Sequence, residues 1–269
     1  MAMHFSYFRY TLSGMLLLTG MACQKVVHLN LNTTTPQIAI EGEITDQRPP
    51  YQVNITTSVD FYSDNVFPPV SGAAIQVKDS TDNISDTLIE TSPGWYTTQH
   101  FPKGIPGHTY SLFVSLQGKV YTAVSTMPLP VNLDSVNYQS SNLFGETTIR
   151  PTPYFQDPPG IANYYQFVEY INSVRLPKVF LFDDRLSDGR YISEPILNDT
   201  TDHLYPGDTL TLAMYCIDKP VWTYLNEVSL ITDANSQSSA PANPQSNITG
   251  GCLGYFSAHT VSEMTSIIP

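Results

Sequence analysis

Short runs in which apolar and polar residues alternate recur along the chain from Gln37: QIAIEGEIT, YQVNITTSV, AAIQVKD, DTLIE, WYTTQH, TYSLFVSL and KVYTAVST. A period of two places alternate side chains on opposite faces of a strand, so each run reads as a strand with one face on a core. Turn formers separate them, namely Arg48-Pro49-Pro50, Asp79 to Asp82, Ser92-Pro93-Gly94 and Pro106-Gly107. Gly94 and Gly107 sit where the chain must reverse, and Tyr96, Tyr110 and Leu112 take core-facing positions. Seven such strands without a helical stretch predict an immunoglobulin-like β-sandwich over residues 37–126.

The segment MPLPVNLDSV (127–136) has two prolines and no period, and a boundary is placed there. A second, mainly β domain is expected over 127–269, from SVNYQSS, TTIRPTPYF, NYYQFVEYIN, KVFLFDD and RYISEPIL. In YPGDTLTLAMYCID a Pro-Gly-Asp turn leads into a strand that puts Leu210, Leu212, Met214 and Cys216 on one inward face. One short helix follows, with Asp218 as N-cap and Pro220 in the first turn, and with Val221, Leu225, Val228 and Thr232 along one side. DANSQSSAPANPQSN reads as a loop, and GCLGYFSAHTVSEM as a closing strand or two. The fold class expected is all-β with a single helix.

The start of the chain follows another pattern. Arg9 is the only Lys or Arg before Cys23, Leu12 to Thr19 is an apolar stretch, and small Ala22 precedes the cysteine. Those are the three parts of a secretory signal peptide, read here as residues 1–22. The run is interrupted by Thr11, Ser13, Gly14, Thr19 and Gly20, and a spanning helix needs about 20 apolar residues. TGMAC looks like a bacterial lipobox, with Gly20 where an aliphatic residue is usual, and this reading makes Cys23 the lipidation site. An ordinary signal peptide with an incidental cysteine is the plainer alternative. Residues 23–36 form the tether, and acyl chains on Cys23 would hold the protein on a membrane.

Composition narrows the partners. With 12 Lys+Arg against 24 Asp+Glu the net charge is −12, and removing residues 1–22 takes away one further positive charge, that of Arg9. Nucleic acid is disfavoured, because its binding needs clustered positive charge. If Cys23 is lipidated, Cys216 and Cys252 remain as an even pair, and an oxidising envelope would permit a disulfide between them; two separate buried thiols are the alternative. No G-x-S-x-G elbow, H-E-x-x-H helix, phosphate loop or paired C-x-x-C occurs, and no cofactor is implied. His28, His100, His108, His203 and His259 are widely spaced and read as surface or packing residues. In FDDRLSDGR, Asp183, Asp184 and Asp188 invite a calcium reading, but the spacing departs from a D-x-[DN]-x-[DN]-G loop. A hairpin connection with its charges in water is expected instead, and no metal is assigned. Of Tyr164 and Tyr165, adjacent on a strand, at least one belongs to the core.

Four stretches, AIEGEIT, FQDPPGIANYYQFVEYIN, LYPGDTLTLAMYCID and NPQSNITGGCLGYFSAHT, together resemble the Bacteroidetes outer-membrane lipoproteins classed as domain of unknown function 4249. The resemblance covers nearly the whole mature chain. It implies an outer-membrane location and, as partner, a TonB-dependent receptor, with no reaction attached. Surface-exposed lipoproteins of that phylum carry acidic residues directly after the lipidated cysteine; Gln24-Lys25-Val26 has none, which leaves the choice of leaflet open. The expectation is a non-enzymatic accessory binding or docking subunit of such a receptor, with a small-molecule or glycan ligand that the sequence does not identify. The alternative is a surface adhesion or structural lipoprotein without a transporter. A hydrolase would instead reveal itself as a concave pocket with converging ionisable groups.

Overall fold

In a computed structural model of the chain, residues 35–59, 66–143, 146–197, 204–232 and 243–269 are described. Cys23, His28, His203, the signal segment and most of the tether and of the DANSQSSAPANPQSN loop lie outside them.

The alternating runs are strands: β1 (Ile38–Thr45), β2 (Gln52–Thr57), β3 (Ala74–Asp79), β4 (Ile84–Ser92), β5 (Trp95–Thr97), β6 (Thr109–Leu116) and β7 (Lys119–Thr126). Period two governs their burial. Ile40 and Ile44 of β1, Val53 and Ile55 of β2, and Ile75 and Val77 of β3 all point into one core. Tyr96, Tyr110 and Leu112 join them there, as their spacing predicts. Beyond residue 127 come β8 (Ser135–Leu143), β9 (Glu146–Gln156), β10 (Tyr164–Ile171), β11 (Val174–Arg175), β12 (Phe180–Asp183), β13 (Tyr191–Ile192) and β14 (Thr209–Ile217). The helix α1 (Lys219–Thr232), β15 (Ile248–Thr249) and β16 (Leu253–Ile267) complete the order. The molecule is thus mostly β with one helix, built on large mixed sheets.

Hydrogen bonding orders the larger sheet β11-β10-β14-β16-β1-β2-β5-β4-β3-β6-β7-β15, with β12 beside β10, and β13-β9-β8 form a smaller sheet. Long β16 is the central strand. Its first half runs parallel to β1, from Ala39 opposite Leu253 to Thr45 opposite His259. Its second half runs antiparallel to β14, from Cys216 opposite Thr260 to Thr209 opposite Ile267.

Two cores result. The first reaches Met127, at the start of the expected boundary segment, and the second begins at Val131 within it. However, the first also takes Ile248, Cys252, Phe256 and Ala258 from the far end of the chain. The first seven strands therefore do not enclose their core alone, and residues 36–269 form one compact unit rather than two successive segments. Gly254 marks how closely β16 approaches β1: with φ +96°, a Cβ there would lie 2.0 Å from the Ile40 carbonyl oxygen. Only glycine fits.

The expected disulfide is corrected by this register. Cys216 and Cys252 are both free and buried. Cys216 lies beside Thr260, midway along β16, and packs in the second core, whereas Cys252 precedes Leu253, the first residue of β16, and packs in the first. Eight residues at about 3.3 Å each put roughly 26 Å between Cys252 and the position beside Cys216. A disulfide requires Cα atoms within about 7 Å.

Asp218 caps α1 as expected: its Oδ1 accepts from Val221 N at 3.2 Å, and its backbone oxygen from Trp222 N at 3.0 Å. Its other oxygen accepts from Ser125 Oγ at 2.8 Å and Thr126 N at 3.2 Å, which ties the helix start to β7. Val221, Tyr224 and Leu225 are the buried face. Thr232, expected on that face, is exposed, and Tyr224 takes up the contact with β16 by accepting the Gly254 N–H at 3.1 Å.

Candidate functional site: a polar and aromatic cleft

The outward face of β1 carries Glu41, Glu43 and Thr45, because Ile40, Gly42 and Ile44 are committed to the core. Pairing continues that face sideways. Glu41 lies opposite Tyr255 of β16 on one side and Asn54 of β2 on the other, and Asn54 lies opposite Trp95 of β5. One row of four outward side chains, Tyr255, Glu41, Asn54 and Trp95, thereby crosses four strands.

This row is the floor of a cleft of about 590 Å³. Tyr224, Leu225 and Val228 of α1 form one wall, and Arg48, Arg175 and Tyr51 reach its margins. Tyr51 is fixed by its own hydroxyl, which donates towards the Thr45 and Gln47 carbonyls at 2.7 and 2.8 Å and accepts from Gly104 N at 3.0 Å. Trp95 is 44% exposed, a large ring left in water on a molecule with ample core to receive it.

Electrostatics mark the same place. The Glu41 carboxyl is accessible from the cleft yet crowded by its walls; this burial raises its pKa, the neighbouring Glu43 charge raises it further, and Arg175 opposes both. Tyr255 donates to Glu43 Oε1 at 3.1 Å. Burial, followed by the charges of Glu43 and Glu41, pushes the Tyr255 phenol well above its ordinary value. Two acids and two bases line the cleft, so a ligand meets both signs of charge, together with phenol and amide groups. Ionisable groups perturbed by burial and by each other inside a concavity are a pointer to function.

Two carboxylates in a concavity raise the question of hydrolysis. Glu41 and Glu43 are two apart on one strand and share one wall, whereas glycoside hydrolysis needs carboxyl groups flanking the bond from either side. The arrangement suits recognition of hydroxyl and amide groups.

The remaining residues singled out in the sequence fall elsewhere. Cys23 lies outside the described residues. Burial raises the Cys252 thiol to about 11 and raises Cys216 also, which disfavours the reactive thiolate at both. His259 is packing, stacked on Tyr215 with centroids 4.6 Å apart and its Nδ1 3.0 Å from Ser257 Oγ. His108 Nδ1 meets Asp79 Oδ2 at 2.8 Å, while Asp79 Oδ1 accepts from Thr81 N and Asp82 N, which makes that group a closed turn. Tyr165 is in the second core, and Tyr164, on the opposite face, packs against Trp222 with the ring planes tilted by 49°. The FDDRLSDGR connection differs from expectation: Asp188 is exposed, but Asp184 is buried.

None of Trp95, Glu41, Glu43 and Tyr255 was a site candidate from the sequence. Two glutamates on the same outward face of AIEGEIT were visible there, but Trp95 and Tyr255 become their neighbours only through strand pairing. Among the described residues no helix is long and apolar enough to cross a membrane, which says nothing of strands. Comparison with curated proteins finds no match. A family model described as Domain of unknown function (DUF4249) matches residues 24–265, nearly the whole length beyond Cys23, and the chain belongs to that family.

Proposed function

We propose that this protein is a lipid-anchored cell-envelope protein, held at the outer membrane through Cys23, that acts as an accessory binding or docking subunit of a TonB-dependent receptor. The observation that carries the binding role is the cleft floored by Tyr255, Glu41, Asn54 and Trp95. An exposed indole offers a flat apolar face, and carboxylates, amide and guanidinium groups around it accept and donate hydrogen bonds. Because acids and bases are balanced along the lining, the ligand class that fits is neutral and hydroxyl-rich, an oligosaccharide above all. The location rests on the lipobox-like TGMAC, and the receptor on the family resemblance.

The test is direct titration of neutral oligosaccharides onto the purified full chain, with Trp95→Ala alongside. Saturable binding that Trp95→Ala weakens by about tenfold or more, about 1.4 kcal/mol, supports the reading. Binding indifferent to Trp95, or turnover of the sugar into shorter products, contradicts it.

A further inference from the structure

Three strand ends converge at one edge of the second core, and each repeats the same pair: an aromatic residue and, two positions along, a polar one. Phe155 and Asp157 come from β9, Tyr165 and Asn163 from β10, Phe182 and Asp184 from β12. The aromatic members pack together, Phe155 to Tyr165 at 5.0 Å, Phe155 to Phe182 at 6.3 Å and Tyr165 to Phe182 at 6.1 Å between centroids. Residues two apart on a strand share a face. The three polar members therefore form the next layer on the same side as the rings.

Asn163 is fixed there by register. Tyr164 pairs with Asp183 and Tyr165 with Phe182; one step beyond, Asp184 N donates to the Asn163 carbonyl at 3.3 Å, and the Asp184 side chain takes the place of a ladder acceptor, its Oδ2 accepting from Asn163 N at 2.9 Å. Directly opposed residues of an antiparallel pair project to the same side. The Asn163 side chain thus projects beside the Asp184 carboxylate, on the face where the Tyr165 hydroxyl meets Asp157 Oδ1 at 2.5 Å.

A third carboxylate closes the group. Asp157, Asp184 and Asp188 each bring an oxygen within 4.8 Å of the other two. Two oxygens that share a calcium ion at about 2.4 Å each can lie at most about 4.8 Å apart. Asp157 is 0% and Asp184 3% exposed. Their hydrogen-bond partners are neutral donors: Tyr165 Oη and Gly189 N for Asp157, Asn163 N for Asp184, and Gly160 N for Asp188. The ion pairs of His108 with Asp79 and of Arg185 with Asp183 do not include any of the three.

Three converging acids without a countercharge are costly where two of them are buried. A second observation points to what offsets that cost. Asn163 is 7% exposed, and its side-chain oxygen is buried without any hydrogen-bond partner; the Ser187 hydroxyl, between Asp184 and Asp188, is likewise unpartnered. Buried acceptors left unpaired are uncommon in native proteins.

We infer that Asp157, Asn163, Asp184 and Asp188 form a calcium site, with Ser187 at its margin, that clamps the 157–163 turn onto the 184–189 turn. Oxygen-only donors select a hard cation over zinc or copper. Ligands drawn from two turns and three strand ends suit the irregular, larger shell of calcium better than the strict octahedron of magnesium. The sequence spacing hid this site because Asp157 and Asn163 lie over twenty residues before Asp184.

The test is calorimetric titration of calcium chloride into the full chain, purified in detergent and stripped with chelator, with thermal unfolding followed in parallel. One calcium per chain is expected, with Kd on the order of 10⁻⁴ M as in extracellular modules. Calcium well above that Kd should raise the unfolding temperature, and magnesium at equal concentration should raise it less. Asp188→Asn, at the exposed corner, should fold and bind calcium at least tenfold more weakly; Asp157→Asn should abolish binding if it folds. A wild-type chain that shows neither heat nor thermal shift up to millimolar calcium overturns the site, as does an Asp188→Asn chain with unchanged affinity.

Discussion

His259 shows how a single buried side chain writes a pH dependence into the whole molecule. It is 2% exposed between the two halves of β16, and burial lowers its pKa below 6.5, although Glu43 and Asp46 pull the other way. The folded chain therefore holds fewer protons than the unfolded one, unfolding takes up a proton, and stability falls as pH drops below about 6.5. The loss can reach about 1.4 kcal/mol per pH unit. In urea titrations between pH 7.5 and 5, wild type should lose more stability than His259→Phe, which keeps the stacking on Tyr215. Equal losses would contradict the assignment, since the raised Glu41, Asp184 and Asp218, which act in the opposite sense, are common to both proteins. At this scale the sequence was partly legible. Cys216 reads as inward because one strand's period settles it, whereas His259 reads only as a surface or packing residue, a choice that its burial decides. The sequence set Asp184 in water, because the partners that bury it, Asn163 and Asp157, belong to other strands.

Among the elements, α1 is the one most dependent on a single residue. Asp218 satisfies Val221 N at the helix start and also holds Ser125 Oγ and Thr126 N of β7. Asp218→Ala should cost about 2 kcal/mol, since a lost cap alone is typically about 1 and buried donors are left unpaired besides. Asp218→Asn, which keeps an acceptor and loses a charge that burial already disfavours, should cost less; chemical denaturation distinguishes the two, and equal losses would show that the cap is not what matters. The cap was readable because capping is local. So were the strands, since alternation in QIAIEGEIT or TYSLFVSL fixes which side is buried. Partner choice was not, because period two names a face and never a neighbour. The pairing of β1 with β16, more than 200 residues apart, therefore came only with the fold, and with it the row from Tyr255 to Trp95.

For the whole molecule, that pairing explains why a boundary at residue 127 separates two cores without separating two domains: β16 contributes Phe256 and Ala258 to one, and the residue after it, Ile268, to the other. It also keeps Cys216 and Cys252 too far apart to crosslink. A scaffold whose ends are joined in this way holds the cleft on paired strands and a capped helix, which is what a binding subunit requires. The proposed partnership of this subunit with a receptor at the outer membrane is open to affinity purification of the tagged full chain from detergent-solubilised native membranes. A TonB-dependent receptor barrel should be recovered at near one-to-one stoichiometry, and should be lost from the membrane-derived complex when Cys23→Ala releases the protein into the soluble fraction. Recovery of the wild-type chain alone, or a Cys23→Ala protein that stays on the membrane with its receptor, would contradict it.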